Sequence, residues 1–461
     1  MRTLVVVASA LVLAGCTGPA DGPRASAPPV ATQAQPTASS PTVGLPYPDW
    51  PTYHGDAART GVSVTMQPAR GAPRLVASLK LDGAVYASPL VVAGTTIVAT
   101  ENDSVYALTG SGRQLWRTHL GTPSPAGERP CGNIDPLGIT GTPAYDAGTR
   151  TVFAVAEYGG PPRHELVALD ARTGVLRWRA SVDLAGTDAV AMQERGALTI
   201  TGGRVWVPFG GLDGDCGNYK GRVIGVPLGG SGPTVSYTVP TSREAGIWAP
   251  PGPNVDATGR LFVSVGNGAA RADDPYDHSD SVLELDSGAR LVDSFSPATW
   301  AADNAADADL GSEGPALVGD WIFIAGKSGT AYVLRKNALG GIGGQVSSAP
   351  ICTSFGGTAV RADVVYVPCT DGVRAVRVDA AGHMQVLWHA AGAVTGSPVV
   401  GGGRIWTLDV MAGVLHGLDP ATGRSSGSVQ VGTVTRFATP ALYGSHVLVP
   451  TVEGLAIVAS S

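Results

Sequence analysis

One short element recurs along this chain and limits what it can fold into: two apolar residues, a small residue, an apolar residue, then a turn with Asp or Gly. It reads Val105-Tyr-Ala-Leu-Thr-Gly110 and Leu166-Val-Ala-Leu-Asp170, then, with variation, Val223-Ile-Gly-Val-Pro227, Val282-Leu-Glu-Leu-Asp286 and Ala331-Tyr-Val-Leu-Arg335. Val373-Arg-Ala-Val-Arg377, Leu415-His-Gly-Leu-Asp419 and Leu455-Ala-Ile-Val458 complete a set of eight. The spacing is about 60 residues early and about 40 late, the range in which repeats mean propellers or solenoids. A strand-like run such as Thr96–Glu101 or Arg404–Leu408 precedes each copy, and no segment sustains a helical period. Earlier in each unit stands a small residue followed by proline: Ser88-Pro89, Thr142-Pro143, Ala249-Pro250, Gly314-Pro315, Ser397-Pro398 and Thr439-Pro440. Proline suits the start of a strand, where its missing N–H need not enter a ladder. Several copies are followed by Gly and then Trp, as in Gly112–Trp116 and Gly174–Trp178, with Trp388 later.

Each unit therefore reads as four strands. Eight such units predict an all-β, eight-bladed propeller of four-stranded antiparallel blades, in which radial packing protects the sheet edges. Ring closure accounts for one leftover piece. Arg74–Leu81 is a strand with no unit of its own, and the last unit ends at Val458 without a fourth strand. The early strand is predicted to complete the last blade. With Gly 64 and Pro 35 of 461 residues, many short strands and tight turns are expected, and a net charge of −6 without a basic cluster argues against nucleic acid.

The first residues read differently. Met1-Arg2-Thr3, an apolar run Leu4–Leu13 and Ala14-Gly15-Cys16 form a secretory signal peptide, the run being too short to span a bilayer. Leu13-Ala14-Gly15-Cys16 resembles the bacterial lipobox, which implies cleavage before Cys16 and lipidation of its thiol. Residues 1–15 are thus expected to be the signal peptide and 16–46 a disordered Pro/Ala/Ser/Thr-rich tether, since such a segment buries too little apolar area to offset its ordering entropy. The propeller is assigned to 47–461, one ring expected to be a monomer, facing the extracytoplasmic side of the cell membrane.

Setting Cys16 aside leaves four cysteines, an even number in an oxidising compartment, which suggests two disulfides. A hairpin folding at Arg361–Asp363 brings Cys352 and Cys369 near bridging range. Cys131 and Cys216 then pair by elimination.

Ala168-Leu-Asp-Ala-Arg-Thr-Gly-Val-Leu-Arg-Trp178 and Asp49-Trp-Pro-Thr-Tyr-His-Gly-Asp-Ala-Ala-Arg-Thr-Gly61 resemble the repeats and the opening segment of the PQQ-type (pyrroloquinoline quinone) propellers. That family includes calcium- and PQQ-dependent alcohol and polyvinyl-alcohol dehydrogenases. It also includes cofactor-free propellers such as the lipoprotein of the outer-membrane β-barrel assembly machine (BamB-like). Residues 242–345 look most like the dehydrogenases: Trp248-Ala-Pro-Pro, Val265-Gly-Asn267-Gly, Asp307-Ala-Asp309 and Gly326-Lys327-Ser-Gly329. The resemblance makes Asn267 a calcium ligand through its amide oxygen, with Asp307 and Asp309 as further metal candidates. It makes Lys327 a contact of the quinone and places Trp248 near the propeller's top face, so PQQ and calcium are the candidate cofactors.

The sequence departs from that pattern. The family's Asp-x-x-Asp-x-Asp, whose first Asp is the base, falls on Asn304-Ala-Ala-Asp307-Ala-Asp309; Asp303 becomes the candidate base only if the alignment shifts by one. The expected glutamate ligand falls at Cys216, and an adjacent cysteine pair is reduced to Cys131. Plain structural readings stand beside the sharp ones. Asn267 closes a Gly-Asn-Gly turn in left-handed geometry or binds a ligand; Lys327 is a solvated turn residue or a quinone contact. Asp273, Asp274, Asp277 and Asp280, with Asp303, Asp307 and Asp309, are solvated loop charge or a structural calcium site. The histidines, His54, His164, His278 and His416 among them, lack zinc-site spacing. The favoured function is a lipid-anchored binding or scaffolding module at the cell envelope, presenting its rim or axial funnel to a protein, peptide or glycan. The alternative is a PQQ- and calcium-dependent alcohol or polyol dehydrogenase.

Overall fold

The computed structural model describes residues 49–460; the expected signal peptide, Cys16 and the expected tether lie outside the described residues. The strands form eight antiparallel sheets arranged as the blades of a propeller. Blade 1 holds Leu90–Val92, Thr95–Thr100, Ser104–Leu108 and Gln114–His119, from the axis outwards. The later blades repeat this plan, and the eight recurring sequence elements all occupy the third strand of a blade. Arg74–Lys80 pairs antiparallel with Gly454–Ala459, Lys80 opposite Gly454 and Arg74 opposite Ala459, so the early strand completes blade 8 as the sequence predicts. Proline falls one residue before the innermost strand in five of the six signatures; in blade 4, Pro253 rather than Pro250 holds that place.

The core lies in wedges between neighbouring blades. Val98 and Tyr106 of blade 1 pack with Leu448 and Ile457 of blade 8, and on the other side Ile97 and Ala107 pack with Val152 and Leu169 of blade 2. The tryptophans at the blade edges set the spacing. Trp116 Nε1 donates to Ala171 O of blade 2 (3.3 Å), and a Cβ on Gly174 there would lie 2.5 Å from the indole. Trp178 meets Gly230 of blade 3 in the same way, and Trp388 meets Gly423 of blade 7, so at these three junctions a turn Gly seats the preceding blade's Trp. At the closure Leu79 takes that place against Gly112.

The innermost strands are sheet edges with N–H groups facing the axis, and buried N–H groups need acceptors. The opening segment supplies them. Trp50 O accepts from Val91 N (2.9 Å), Pro51 O from Tyr145 N (2.8 Å), Ala57 O from Val255 N (2.8 Å), Thr60 O from Val360 N (2.8 Å) and Gly61 O from Val400 N (2.7 Å). Arg59, buried, donates to Leu198 O of blade 3 (2.9 Å), and Gln67 N donates to Gly444 O of blade 8 (2.9 Å). Residues 50–67 are thus a strap bonded to every blade but the fifth. Tyr53, wholly buried, hydrogen-bonds Thr439 (3.2 Å).

Among the described residues one short α-helix, Trp300–Ala306, breaks the all-β pattern. At seven residues it is too short for a helical period to stand out in the sequence. Among the described residues no helix is long and apolar enough to cross a membrane. Both disulfides form: Cys352–Cys369, with Cα atoms 5.7 Å apart, and Cys131–Cys216, at 6.2 Å.

Candidate functional site

The loops leading into the innermost strands meet the ends of the second strands at one end of the axis. They enclose a funnel of about 240 Å³. Its walls are aromatic (Tyr86, Tyr219, Trp248, Phe355, Phe437) and carry charges of both signs: Arg195, Arg436, Lys327, Asp213, Asp215 and Asp309. A narrow shaft lined by Tyr86, Thr140, Arg195 and Phe437 continues down to Tyr53 of the strap. The strap therefore floors the shaft, leaving the funnel open at one end.

Trp248, Asn267, Asp309 and Lys327 come together on this wall. Asp309 is buried; one carboxylate oxygen accepts the backbone N–H of Asn267 and the other an ion pair from Lys327. Turned toward it, the Asn267 side-chain amide also donates to Asp309 Oδ2 at 3.2 Å. Lys327 Nζ reaches Asp307 Oδ1 as well (2.7 Å) and lies 5.8 Å from the Trp248 ring centre, within cation–π range. Burial disfavours the Lys327 ammonium, but the pull of Asp309 and hydrogen bonds to both aspartates outweigh it and leave its pKa raised. Gly266 makes the cluster possible: a Cβ there would sit 2.5 Å from Asp309 Oδ1 and 2.9 Å from Trp248 Nε1. Asn267 is not in the left-handed backbone region, so the turn reading of this residue does not hold. Its carbonyl accepts from Ala245 N (2.8 Å) across the funnel wall.

The remaining candidates sit elsewhere. Asp303 does not line the funnel; its carboxylate accepts from Thr299 Oγ1 (2.6 Å) at the start of the short helix. Asp307 is exposed, beyond Lys327. Asn304 is buried and brackets the acidic loop: its Oδ1 accepts from Gly268 N (2.8 Å), and its Nδ2 donates to Ala270 O (3.0 Å) and Ser279 Oγ (2.9 Å). In that loop Asp277 accepts from Ser279 Oγ (2.6 Å) and Asp280 from Leu310 N (3.0 Å), while Asp273 and Asp274 face solvent.

This donor set fits calcium poorly. The ion wants about six to eight oxygens with charged carboxylates among them. Here the one buried carboxylate of the wall already holds an ammonium and an N–H. The position where the resemblance expects a glutamate is Cys216, which is bonded to Cys131 behind Gly214 of the funnel. Among the described residues no group of three or more His, Cys, Asp or Glu is arranged to hold a metal.

Arg195, Arg436, Tyr86, Phe355 and Phe437 were not legible as site residues from the motifs. A positional signal was present: Tyr86, Thr140 and Phe437 each stand three residues before a blade's proline, and all three line the shaft. Next to this wall, blades 1 to 3 bury a row of ionisable groups. His164 is held between Asp183 (2.8 Å) and Glu157 (3.1 Å). Burial opposes its charge, but Glu157 and Asp183 prevail and push its pKa up to about 10. Burial raises Glu101 to about 7 and Asp103 to about 9, and lifts Glu194 well above the carboxylate range.

With this geometry in place, comparison with known proteins becomes informative. The family model described as outer membrane protein assembly factor BamB matches residues 56–208. The solved structure of BamB from Moraxella catarrhalis superposes with a TM-score of 0.56 at 20% identity, covering 84% of this chain and 97% of that one. The quinohemoprotein alcohol dehydrogenase ADHIIG from Pseudomonas putida HK5 gives 0.68 at 15% identity, covering 89% and 79%. The architecture is that of a PQQ-repeat β-propeller. Among such PQQ-repeat relatives, the polyvinylalcohol dehydrogenase of Sphingopyxis sp. (strain 113P3) is 30% identical over 32% of this chain. That match spans only 27% of the enzyme's length. The two structural neighbours differ in function while sharing the ring, so the likeness establishes architecture and leaves function to the site.

Proposed function

We propose that this PQQ-repeat propeller is a recognition module of the cell envelope that holds a ligand or partner in its axial funnel and does not carry out calcium-assisted quinone chemistry. The observation that carries this reading is the engagement of Asp309 by Lys327 and Asn267, which commits the one buried carboxylate beside Asn267, the position the resemblance assigns to calcium. The lipobox-like Cys16 and the match to the BamB description support attachment at the envelope through lipid. The dehydrogenase reading is the rival, because Trp248, Asn267, Asp309 and Lys327 do share one wall and part of the chain matches a polyvinylalcohol dehydrogenase. Titrating the intact protein with PQQ and calcium, followed by ultraviolet absorbance and Trp fluorescence, separates them. The recognition reading expects no saturable calcium-dependent binding at tens of micromolar quinone; saturation with dye-linked turnover of an alcohol overturns it.

A further inference from the structure

The funnel holds two guanidiniums with no carboxylate in close contact; Asp213 and Glu101 act on Arg195 only from beyond ion-pair distance. Lys327 is neutralised by Asp309 and Asp307, but neither Arg195 nor Arg436 has a carboxylate within ion-pair distance among the described residues. The Arg195 guanidinium makes one side-chain hydrogen bond, to Gln193 Oε1 (3.1 Å), and lies 5.3 Å from the centre of the Phe437 ring. Arg436 approaches the same ring at 5.8 Å and Phe355 at 4.1 Å. Two cations thus share one aromatic ring in a partly desolvated wall. Like charges so placed repel, and the half-buried Arg195 and exposed Arg436 both have donors to spare for an arriving anion.

We propose that the funnel binds a small aromatic carboxylate, its carboxylate held by Arg195 and Arg436 and its ring among Phe355, Phe437 and Trp248. The inference rests on the recognition reading above. A guanidinium fork matches the two oxygens of a carboxylate, and both forks approach the Phe437 ring, whose centre lies 6.1 Å from that of Trp248. Single charge is favoured over a dianion such as a phosphate monoester, because Asp213, Asp215 and Asp309 line the same cavity.

Calorimetry on the intact protein tests this with three ring-matched probes, indole-3-acetate, its neutral amide indole-3-acetamide and the cation tryptamine, with phenyl phosphate as a fourth. A charge-assisted hydrogen bond predicts that the acid binds about tenfold tighter than the amide. That advantage shrinks with added salt and is largely lost in Arg436→Gln, while amide affinity stays unchanged. Arg436 is exposed, so this variant keeps the fold; Arg195→Gln gives a second measurement. Equal binding of acid and amide, or none at millimolar probe, overturns the proposal. Tighter binding of phenyl phosphate overturns the choice of carboxylate. Equal binding leaves the recognition reading standing, whereas that reading fails separately if quinone and calcium bind.

Discussion

The two ends of the propeller axis are built on opposite principles. At the closed end the strap satisfies the inner strands with backbone hydrogen bonds and buries Tyr53 and Arg59, whose side chains bond to the blades. At the open end side chains do the work, and two guanidiniums lie against aromatic rings with no carboxylate in ion-pair contact among the described residues. A ring of repeats needs one end to hold it together and can leave the other free to vary. The contrast separates what keeps this molecule folded from what it presents to a ligand.

The largest effect is expected at the closure. Deleting Arg74–Lys80 opens blade 8 and exposes its third strand as an edge, so the variant should lose its cooperative melting transition in calorimetry. A deletion that melts at the wild-type temperature breaks the comparison. Next come the disulfides. Loop entropy alone gives about 4.6 kcal/mol for Cys131–Cys216 and about 3.1 kcal/mol for Cys352–Cys369, whose sequence separations are 85 and 17. Paired Cys→Ala variants in urea should rank in that order. Arg59→Met removes one of two donors to Leu198 O and the donor to Tyr53 O (3.1 Å), leaving that buried carbonyl unpaired, a loss of about 1–3 kcal/mol in the same assay. Arg436→Gln, at the open end, should leave the melting temperature within about a degree, as surface changes do.

A pH dependence is expected as well. Burial raises Glu101 to about 7, Asp280 and Glu313 to about 8, and Asp103 to about 9, so the native state holds protons that an unfolded chain releases near pH 4. Groups with raised pKa values stabilise the fold below the unfolded value and lose that contribution as pH rises through the native one. His164, raised to about 10, acts in the same direction higher up. The melting temperature should therefore fall between pH 6 and pH 9, and Glu101→Gln should flatten the slope at its lower end.

The ring was legible because its signals are local and repeated. The third-strand element, the proline before the inner strand and the Trp–Gly pair each report a short-range constraint, and their agreement specifies blades and closure together. The Cys352–Cys369 pairing followed from a hairpin for the same reason. The site was less legible because it is assembled from loops of different blades. Asn267, Asp309 and Lys327 could be placed on one wall by family likeness, but not that Lys327 would claim the Asp309 carboxylate. Asn304, aligned with a catalytic position, turned out to be a buried bracket for a loop, a use that depends on Gly268 and Ser279 arriving from another blade segment. Arg195 and Arg436 are 241 positions apart and become neighbours only through Phe437.

Closing the ring with a strand from the other end of the chain imposes an order in time. Arg74–Lys80 leaves the ribosome hundreds of residues before Gly454–Ala459, and at about 5–20 residues per second it waits tens of seconds for its partner. During that wait it is an unpaired strand carrying Leu75, Val76 and Leu79, flanked by the charges of Arg74 and Lys80 that discourage wrong pairings. A chain cut short near its C-terminus therefore loses more than the missing residues, because the strand that was made early is left with nothing to join.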